Sequence, residues 1–450
     1  MNSSDLVNAP FRDEFIFPTN KDIGGKKVDG DARCVYLCGN SLGLLPKRAE
    51  ALVQEEFRVW GSKAVEGHFD HPHGRDWMKI ADHVTPLLAE LVGAKTEEVA
   101  CMGSLTANLH LMMNTFYQPT PGRYKILCEG KAFPSDQYAF ASQAKLHGRD
   151  PKDAVLELFP RSGEHVLRKE DILKVIEEQG ETIALVIFSG VQYYTGQWFP
   201  MEAVTRAAKA KGCICGWDLA HAVGNVPLFL HDWGVDWAVW CSYKYLNSGA
   251  GGIAGLFLHE SWNDRIEPKY AGWWGHDPST RFQMPPTFAP IQGAQGFQQS
   301  NPPILCVASL LGSLQIFKEA GMMPALRARS VNLTAYLESL LRRSPFFVPV
   351  EKVPQLYPVD AAADVGRNPG FTIITPSSPD ARGAQLSLAF LPLGSGLMEK
   401  YYDELKTYGV IGDERKPDVL RLAPTALYNT SEDCDKAAMY LNKVMETIET

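Results

Sequence analysis

Lys244 stands where an apolar run stops. Residues 237–241 (WAVWC) give way to Ser242-Tyr243-Lys244-Tyr245, then to a glycine-rich turn at 249–252 (GAGG), then to a second apolar run at 253–258. The pattern predicts a buried strand that emerges into a loop with the lysine at its exit. An amine drawn out of water is more readily held neutral, and a neutral amine is the nucleophile of Schiff-base chemistry. A strand-end lysine that merely reaches solvent gives the same local pattern. The case therefore rests on what the neighbouring strands bring to their own ends.

Residues 98–103 predict a short strand, after which Ser104-Leu105-Thr106 opens a helix with apolar residues at helical spacing (Leu105, Leu109, Met112, Met113, Phe116). Residues 124–128 predict a strand. Phe133-Pro134-Ser135-Asp136 then opens a second helix, with Ser135 expected at its N-cap and Gly148 past its end. The run ALVIFS at 184–189 has the continuous apolarity of a strand buried on both faces. A helix over 200–211, a strand over 213–218 ending on Asp218, and the strand before Lys244 complete the series. Strands alternating with helices imply parallel pairing, and such sheets bind ligands outside the carboxyl ends of their strands. Those ends carry Leu105 and Thr106, Phe133 to Asp136, Ser189, Asp218 with His221, and Tyr243 with Lys244.

A lysine, a buried carboxylate and a helix N-terminus are what pyridoxal phosphate requires. Lys244 is expected to form the Schiff base. Asp218 is expected to pair with the pyridine nitrogen, with Phe133 stacked on the ring and the phosphate at the Leu105–Thr106 helix start. A helix terminus contributes only about 0.3–1 kcal/mol when exposed and about 2 when partly buried. Donors from Thr106 and Tyr243 are therefore expected to help. A nucleotide reading of residues 249–252 is weaker, because the stretch lacks the Gly-Lys-Ser/Thr ending and precedes a strand, not a helix. A small-ligand binding protein without catalysis also fits the crevice.

The chain has 450 residues, 45% of them hydrophobic and 21% charged, with a net charge of −8, which suits a globular α/β protein with a smaller companion domain. No basic stripe points to nucleic acid, and no apolar run approaches the ~20 residues that span a bilayer. The first fifteen residues lack the marks of a signal or transit peptide. Nine scattered cysteines read as reduced thiols, so a cytoplasmic location is expected. Neither the cysteines nor His68, His71 and His73 of the loop 67–74 show zinc spacing with a fourth ligand, and no metal is expected. Three units are expected: an N-terminal segment, 1–60, packing with the small domain; a large cofactor-binding domain, 61–320; and a small C-terminal domain, 321–450. In the last unit, 371–375, 385–390 and 419–422 predict strands, and Thr430-x-x-Asp433 predicts a capping box. Residues 344–368 fit no element.

Six motifs resemble the kynureninase family: residues 242–255 (SYKYLNSGAGGIAG), 133–136 (FPSD), 188–192 (FSGVQ), 218–225 (DLAHAVGN), 272–276 (GWWGH) and 300–304 (SNPPI). The similarity runs in order from about residue 36 to about 429, with a shorter match at Leu420-Arg421-Leu422-Ala423-Pro424. It implies a fold-type-I, pyridoxal-phosphate-dependent enzyme, with a large domain built on a mostly parallel, seven-stranded-type sheet and a smaller α+β domain. Such enzymes are homodimers with active sites at the subunit interface, and they hydrolyse the Cβ–Cγ bond of kynurenine or 3-hydroxykynurenine in tryptophan catabolism and NAD synthesis.

The resemblance further implies cofactor contacts at Leu105, Thr106, Phe133, Pro134, Ser135, Asp136, Ser189, Asp218, His221, Tyr243 and Lys244, with Trp273 and Asn301 near the site from the neighbouring subunit. It implies substrate contacts at Ser41, His68 and Asn301, a carboxylate clamp at Arg421, and acid–base work at Tyr243. Taken singly, Trp273 also reads as a core aromatic, His221 as a structural histidine and Arg421 as a surface strand residue. The alternative within the same fold is a cysteine desulfurase-like lyase, for which neither Cys306 nor Cys434 lies on a suitable mobile loop.

Overall fold

The computed structural model describes residue 6, residues 8–358 and residues 368–447. Residues 359–367, part of the stretch that fits no element in the sequence, lie outside the described residues; 353–356 just before them form a single helical turn. The large lobe is organised on seven strands: β1 (Val99–Cys101), β2 (Lys125–Glu129), β3 (Val155–Leu158), β4 (Ile183–Ser189), β5 (Ile214–Asp218), β6 (Trp237–Cys241) and β7 (Ala254–Leu258). Their order is β1-β7-β6-β5-β4-β2-β3. Pairings among β3, β2, β4, β5 and β6 are parallel, and β7 runs antiparallel to both its neighbours.

Helices cover both faces. They include α1 (Lys47–Lys63), α2 (Thr85–Val92), α3 (Leu105–Phe116), α4 (Pro134–Leu146), α5 (Lys169–Gln179), α6 (Met201–Ala210) and α7 (Ile304–Glu319). Strand β3 and helix α5 are among the elements absent from the sequence reading. Strand β3 is a half-exposed edge strand, VLEL, without the apolar run that marks the central strands. Helix α5 buries only Ile172 and Ile176, one turn apart.

The strand leading to Lys244 is fixed by two tryptophans that pack over glycines on adjacent strands. Trp237 faces Gly216 across β5–β6, and Trp240 faces Gly255 across β6–β7. Both rings are fully buried, and they join the cores on opposite faces of the sheet, as a three-residue separation on a strand requires. A Cβ at Gly255 would lie 2.1 Å from the Trp240 ring, and one at Gly216 would lie 2.5 Å from the Trp237 ring. Glycine inside a strand marks such a close approach.

The smaller lobe contains an antiparallel sheet of β8 (Gly370–Ile373), β9 (Leu386–Leu391), β10 (Asp413–Arg415) and β11 (Val419–Leu422), ordered β8-β9-β11-β10. Its core takes Leu333, Leu337 and Leu341 from α8 (Met322–Arg342), Leu397 and Tyr401 from α9 (Leu397–Thr407), and Cys434 and Leu441 from α10 (Ser431–Thr447). Val35 and Leu37 from the N-terminal segment join the same core, and Val35–Tyr36 pairs in parallel with Val410–Ile411. The expected capping box forms: Thr430 N–H donates to Asp433 Oδ2 at 3.1 Å, and Asp433 N–H donates to Thr430 Oγ1 at 3.3 Å. Among the described residues, no single helix is long and apolar enough to cross a membrane.

Gly255→Ala should force the Trp240 ring out of place and destabilise the protein by about 1–3 kcal/mol. Gly122→Ala, whose Cβ would meet nothing within 4 Å, is the control. Thermal denaturation should show a Tm several degrees lower for the first variant and unchanged for the second; equal Tm values would contradict the packing argument.

Candidate active site

The carboxyl ends of β1, β2, β4, β5 and β6 open on one cavity of ≈520 Å³, counted with the solvent-open space at its mouth. Ten of the residues singled out in the sequence line it: Leu105, Thr106, Phe133, Ser135, Asp136, Ser189, Asp218, His221, Tyr243 and Lys244. Val191, Tyr193 and Ala220 line it as well. Tyr193 lies four residues beyond a strand end, and nothing in its sequence context marks it. Its ring meets Phe133 edge-on, with centroids 5.2 Å apart.

The loop carrying Lys244 is held from both sides. Ser242 Oγ bonds Ser248 Oγ at 2.6 Å, and Ser248 N–H donates to Ser242 O at 3.1 Å. Gly43 N–H donates to Tyr243 O at 2.8 Å. A Cβ at Gly43 would lie 2.5 Å from Lys244 O and 2.2 Å from Asn247 Oδ1, so the Asn40–Gly43 turn can press on the lysine loop only as glycine. The Lys244 ammonium lies 5.7 Å from the centre of the Tyr243 ring.

Helix α3 starts at Leu105 after Gly103, whose φ of +60° and whose contact with Asn108 leave no room for a side chain. The Ser104 side chain caps nothing, so the first N–H groups of α3 stay open to an anion. Thr106 Oγ1 lies 2.7 Å from Ser135 Oγ. Ser135 is thus not the N-cap expected from sequence. Phe133 holds that position, Pro134 is the first helical residue of α4, and the Ser135 hydroxyl faces Thr106 across the cavity. Pro134, by the same placement, supports the wall without lining it.

Charge in the cavity is set by burial. Asp218 accepts from Ala220 N–H at 2.7 Å, and burial still raises its pKa. Burial and the neighbouring Asp218 and Glu129 raise Asp136 well above the usual carboxyl range. Burial, reinforced by the charge of Lys244, holds His221 neutral, and its Nδ1 has no partner. Burial and the adjacent Cys241 thiol keep the Tyr243 phenol protonated. An unpaired Asp136 Oδ1, an unpaired His221 Nδ1, an amine, an open helix start and an aromatic plate form a donor set that fits pyridoxal phosphate.

Besides Pro134, five expected residues lie outside this cavity. Arg421, on β11, is 0% exposed and not a surface residue. Its Nη1 donates to Tyr193 O at 2.6 Å, and its Nη2 lies 2.8 Å from Asp413 Oδ2 without hydrogen-bond alignment. Nε and Nη2, the edge that would grip a carboxylate in bidentate fashion, have no hydrogen-bond partner. His68 Nδ1–H donates to Val65 O (2.9 Å), and its ring packs edge-on against Trp77. Trp273 is 44% exposed, not a core aromatic, and its Nε1 donates to Arg281 O at 3.2 Å. Asn301 Oδ1 has no partner, and Ser41 N–H donates to Cys38 O in the Asn40–Gly43 turn. His71, weighed above as a zinc ligand, is buried with Nε2 2.9 Å from Glu56.

This sheet order and this crevice are those of a pyridoxal-phosphate-dependent enzyme of the class-V aminotransferase fold. The aminotransferase class-V family model matches residues 35–356, and the kynureninase C-terminal domain model matches residues 356–441. The fold is shared with the cysteine desulfurase CsdA of Escherichia coli (TM-score 0.73, 15% identity, 100% of both chains). It is also shared with the mutant C-DES with glycine covalently linked to its cofactor (TM-score 0.72, 16% identity, 91% of this chain and 96% of that one). Sequence similarity is far higher to the kynureninases of Yarrowia lipolytica (48% identity, 97% of this chain and 98% of the relative) and Nematostella vectensis (49%, 100% and 93%). The human kynureninase is 46% identical over 98% of this chain and 91% of its own length. The chain belongs to the kynureninase family.

A phosphate seated at the start of α3 predicts that Thr106→Val weakens pyridoxal phosphate binding to the apoenzyme. A hydrogen bond to a charged group contributes about 1.5–3 kcal/mol, or roughly a ten- to hundredfold change in Kd. Absorbance titration of the apoenzyme measures it, and an unchanged Kd would place the phosphate elsewhere.

Proposed function

We propose that this chain hydrolyses the Cβ–Cγ bond of L-kynurenine or 3-hydroxy-L-kynurenine, giving anthranilate or 3-hydroxyanthranilate and L-alanine, with the cofactor held as a Schiff base on Lys244. The similarity to kynureninases over nearly the whole chain carries this reading. The adjacency of Tyr243 and Lys244 in one cavity agrees with it.

When bound, pyridoxal phosphate supplies an electron sink for negative charge developing at Cα. Leu105, Thr106 and Ser135 hold the phosphate end. Asp218 holds the ring nitrogen protonated. Phe133 and the neutral His221 bound the ring. Arg421 would take the substrate α-carboxylate, with Asp413 as the ion-pair partner it shares. Lys244 would move the proton at Cα. Water adds to the γ-carbonyl, the bond to Cβ breaks, and the aryl carboxylate leaves while Cβ takes up a proton. The Tyr243 phenol, protonated by burial and beside Lys244, is the proton donor for that step.

The units 1–60, 61–320 and 321–450 carry these parts, and two copies complete the site. Phe69, Trp273 and Phe282 form an aromatic group that is 57%, 44% and 52% exposed. Burying that group between subunits would remove apolar surface from water. Trp273, Asn301, His68 and Ser41 would then meet the substrate's aryl end from across or beside that interface. A reducing cytoplasm, and a place in tryptophan breakdown and NAD synthesis, fit this activity. All nine cysteines are free.

Lys244→Ala should leave no measurable release of anthranilate and alanine. Tyr243→Phe should retain cofactor while kcat falls by about 10²–10⁴, the usual contribution of a placed acid or base. Anthranilate fluorescence and alanine assay measure both, and full kcat in Tyr243→Phe would remove the phenol from the mechanism.

A further inference from the structure

Glu129, the last residue of β2, plays no part in the chemistry above, yet it is 3% exposed and sits behind the cofactor cavity. The Ser189 hydroxyl donates to Glu129 Oε1, and Ser189 N–H lies 3.3 Å from both carboxylate oxygens. Ser189 lines the cofactor cavity. The other side of Glu129 lines a second cavity of ≈1080 Å³, bounded by Lys131, Phe159, His165, Tyr193 and Lys416. Tyr193 lines both cavities. Glu129, Ser189 and Tyr193 are therefore the partition between a cofactor chamber and a wider cleft.

We propose that Glu129 is a positioning residue whose protonation decides whether the Ser189 hydroxyl offers a lone pair or a proton to the cofactor chamber, and that the second cavity is its route for proton exchange with solvent. The proposal rests on the reading that pyridoxal phosphate occupies the chamber.

A serine hydroxyl has one proton and two lone pairs, and an ionised carboxylate only accepts. While Glu129 is ionised, Ser189 commits its proton to Glu129 and turns only lone pairs toward the chamber. A neutral Glu129 carries its own proton and donates it to Ser189 Oγ. Ser189 is then free to donate to an anionic oxygen of the cofactor. No covalent bond changes; one hydrogen bond reverses direction.

The surroundings set this reversal near neutral pH. Burial raises Glu129 to about 7, against the lowering effect of the Ser189 hydroxyl and N–H groups, and Asp218 adds to the rise. Asp136 and Asp218 face it from α4 and β5, with Lys244 the nearby cation. Glu157 flanks it on β3, next to Cys128 of its own strand. Lys131, Glu164, His165, Tyr193, Tyr194 and Lys416 face it from the cleft. An acid with a raised folded pKa holds a proton that the unfolded chain releases. Its contribution to stability is present below about pH 4.5 and is lost as pH rises toward 7.

Two measurements on wild type, Glu129→Gln, Glu129→Asp and Ser189→Ala test this. In the apoenzyme, the Tm of wild type should fall relative to Glu129→Gln between about pH 4.5 and about 7 and run parallel above. A pH-independent difference would overturn the titration of Glu129. In the holoenzyme, the cofactor absorption band of wild type should show a transition with a midpoint near 7. That transition should be lost in Glu129→Gln and Ser189→Ala, and moved in Glu129→Asp, which keeps the acid but shortens its reach. Glu129→Asp also serves should the glutamine variant fail to fold. A wild-type transition retained in Ser189→Ala would overturn the link to Ser189 while leaving the cofactor reading intact. Failure of wild type to take up pyridoxal phosphate would overturn that underlying reading instead, and the apoenzyme curves would still report on Glu129.

Discussion

The site is governed by too much buried negative charge facing too little positive charge. Glu129, Asp136 and Asp218 are all buried at neighbouring strand ends, and Lys244 is the cation lining their cavity. An isolated buried carboxylate is costly, and proteins relieve the cost by retaining protons. All three acids are accordingly shifted upward. The cavity is thus complementary to a ligand that brings a cationic nitrogen to Asp218 and an anionic group to the open start of α3. Arg421, buried on β11, is balanced separately by its ion pair with Asp413 at 2.8 Å.

Such a mismatch persists only if the backbone cannot relax around it. Central strands buried on both faces supply that rigidity. Trp237 and Trp240, laid over Gly216 and Gly255, lock β6 between its neighbours. Gly43 lets the N-terminal segment press on the Lys244 loop, and Asn225 Oδ1 accepts from Ala384 N–H at 2.9 Å to tie the Asp218 loop to the small lobe. Gln385 bridges the lobes again, accepting from Asn40 Nδ2 (2.9 Å) and donating to Tyr193 O (3.0 Å). The lysine, its counter-charges and the carboxylate clamp are therefore positioned by both lobes together.

Much of this was legible in the chain. Continuous apolar runs marked β4, β5 and β6, because a strand covered on both faces needs no polar alternation. Once those strands were placed, the chemistry at their ends followed. Strand β3 and helix α5 were not legible, since a half-exposed edge strand and a helix with one narrow apolar stripe carry little signal. Ser135 misled for a related reason: a hydroxyl in the first turn reads as a cap, yet here it turns across the cavity to Thr106. Glu129 was within reach, as a carboxylate one residue past an apolar run.

The sequence by itself determined the alternation of the central strands and helices, the cofactor chemistry expected at the strand ends and, through its motifs, the family resemblance. Local periodicity and residue type are sufficient for these. Only the tertiary structure decided which residues share a chamber. It brought nine other expected residues around Lys244, added Tyr193, set Glu129 behind Ser189, buried Arg421 against Tyr193, and left Ser41, His68, Trp273 and Asn301 outside. Proximity across hundreds of residues depends on sheet order and lobe packing, and neither is written in any local pattern.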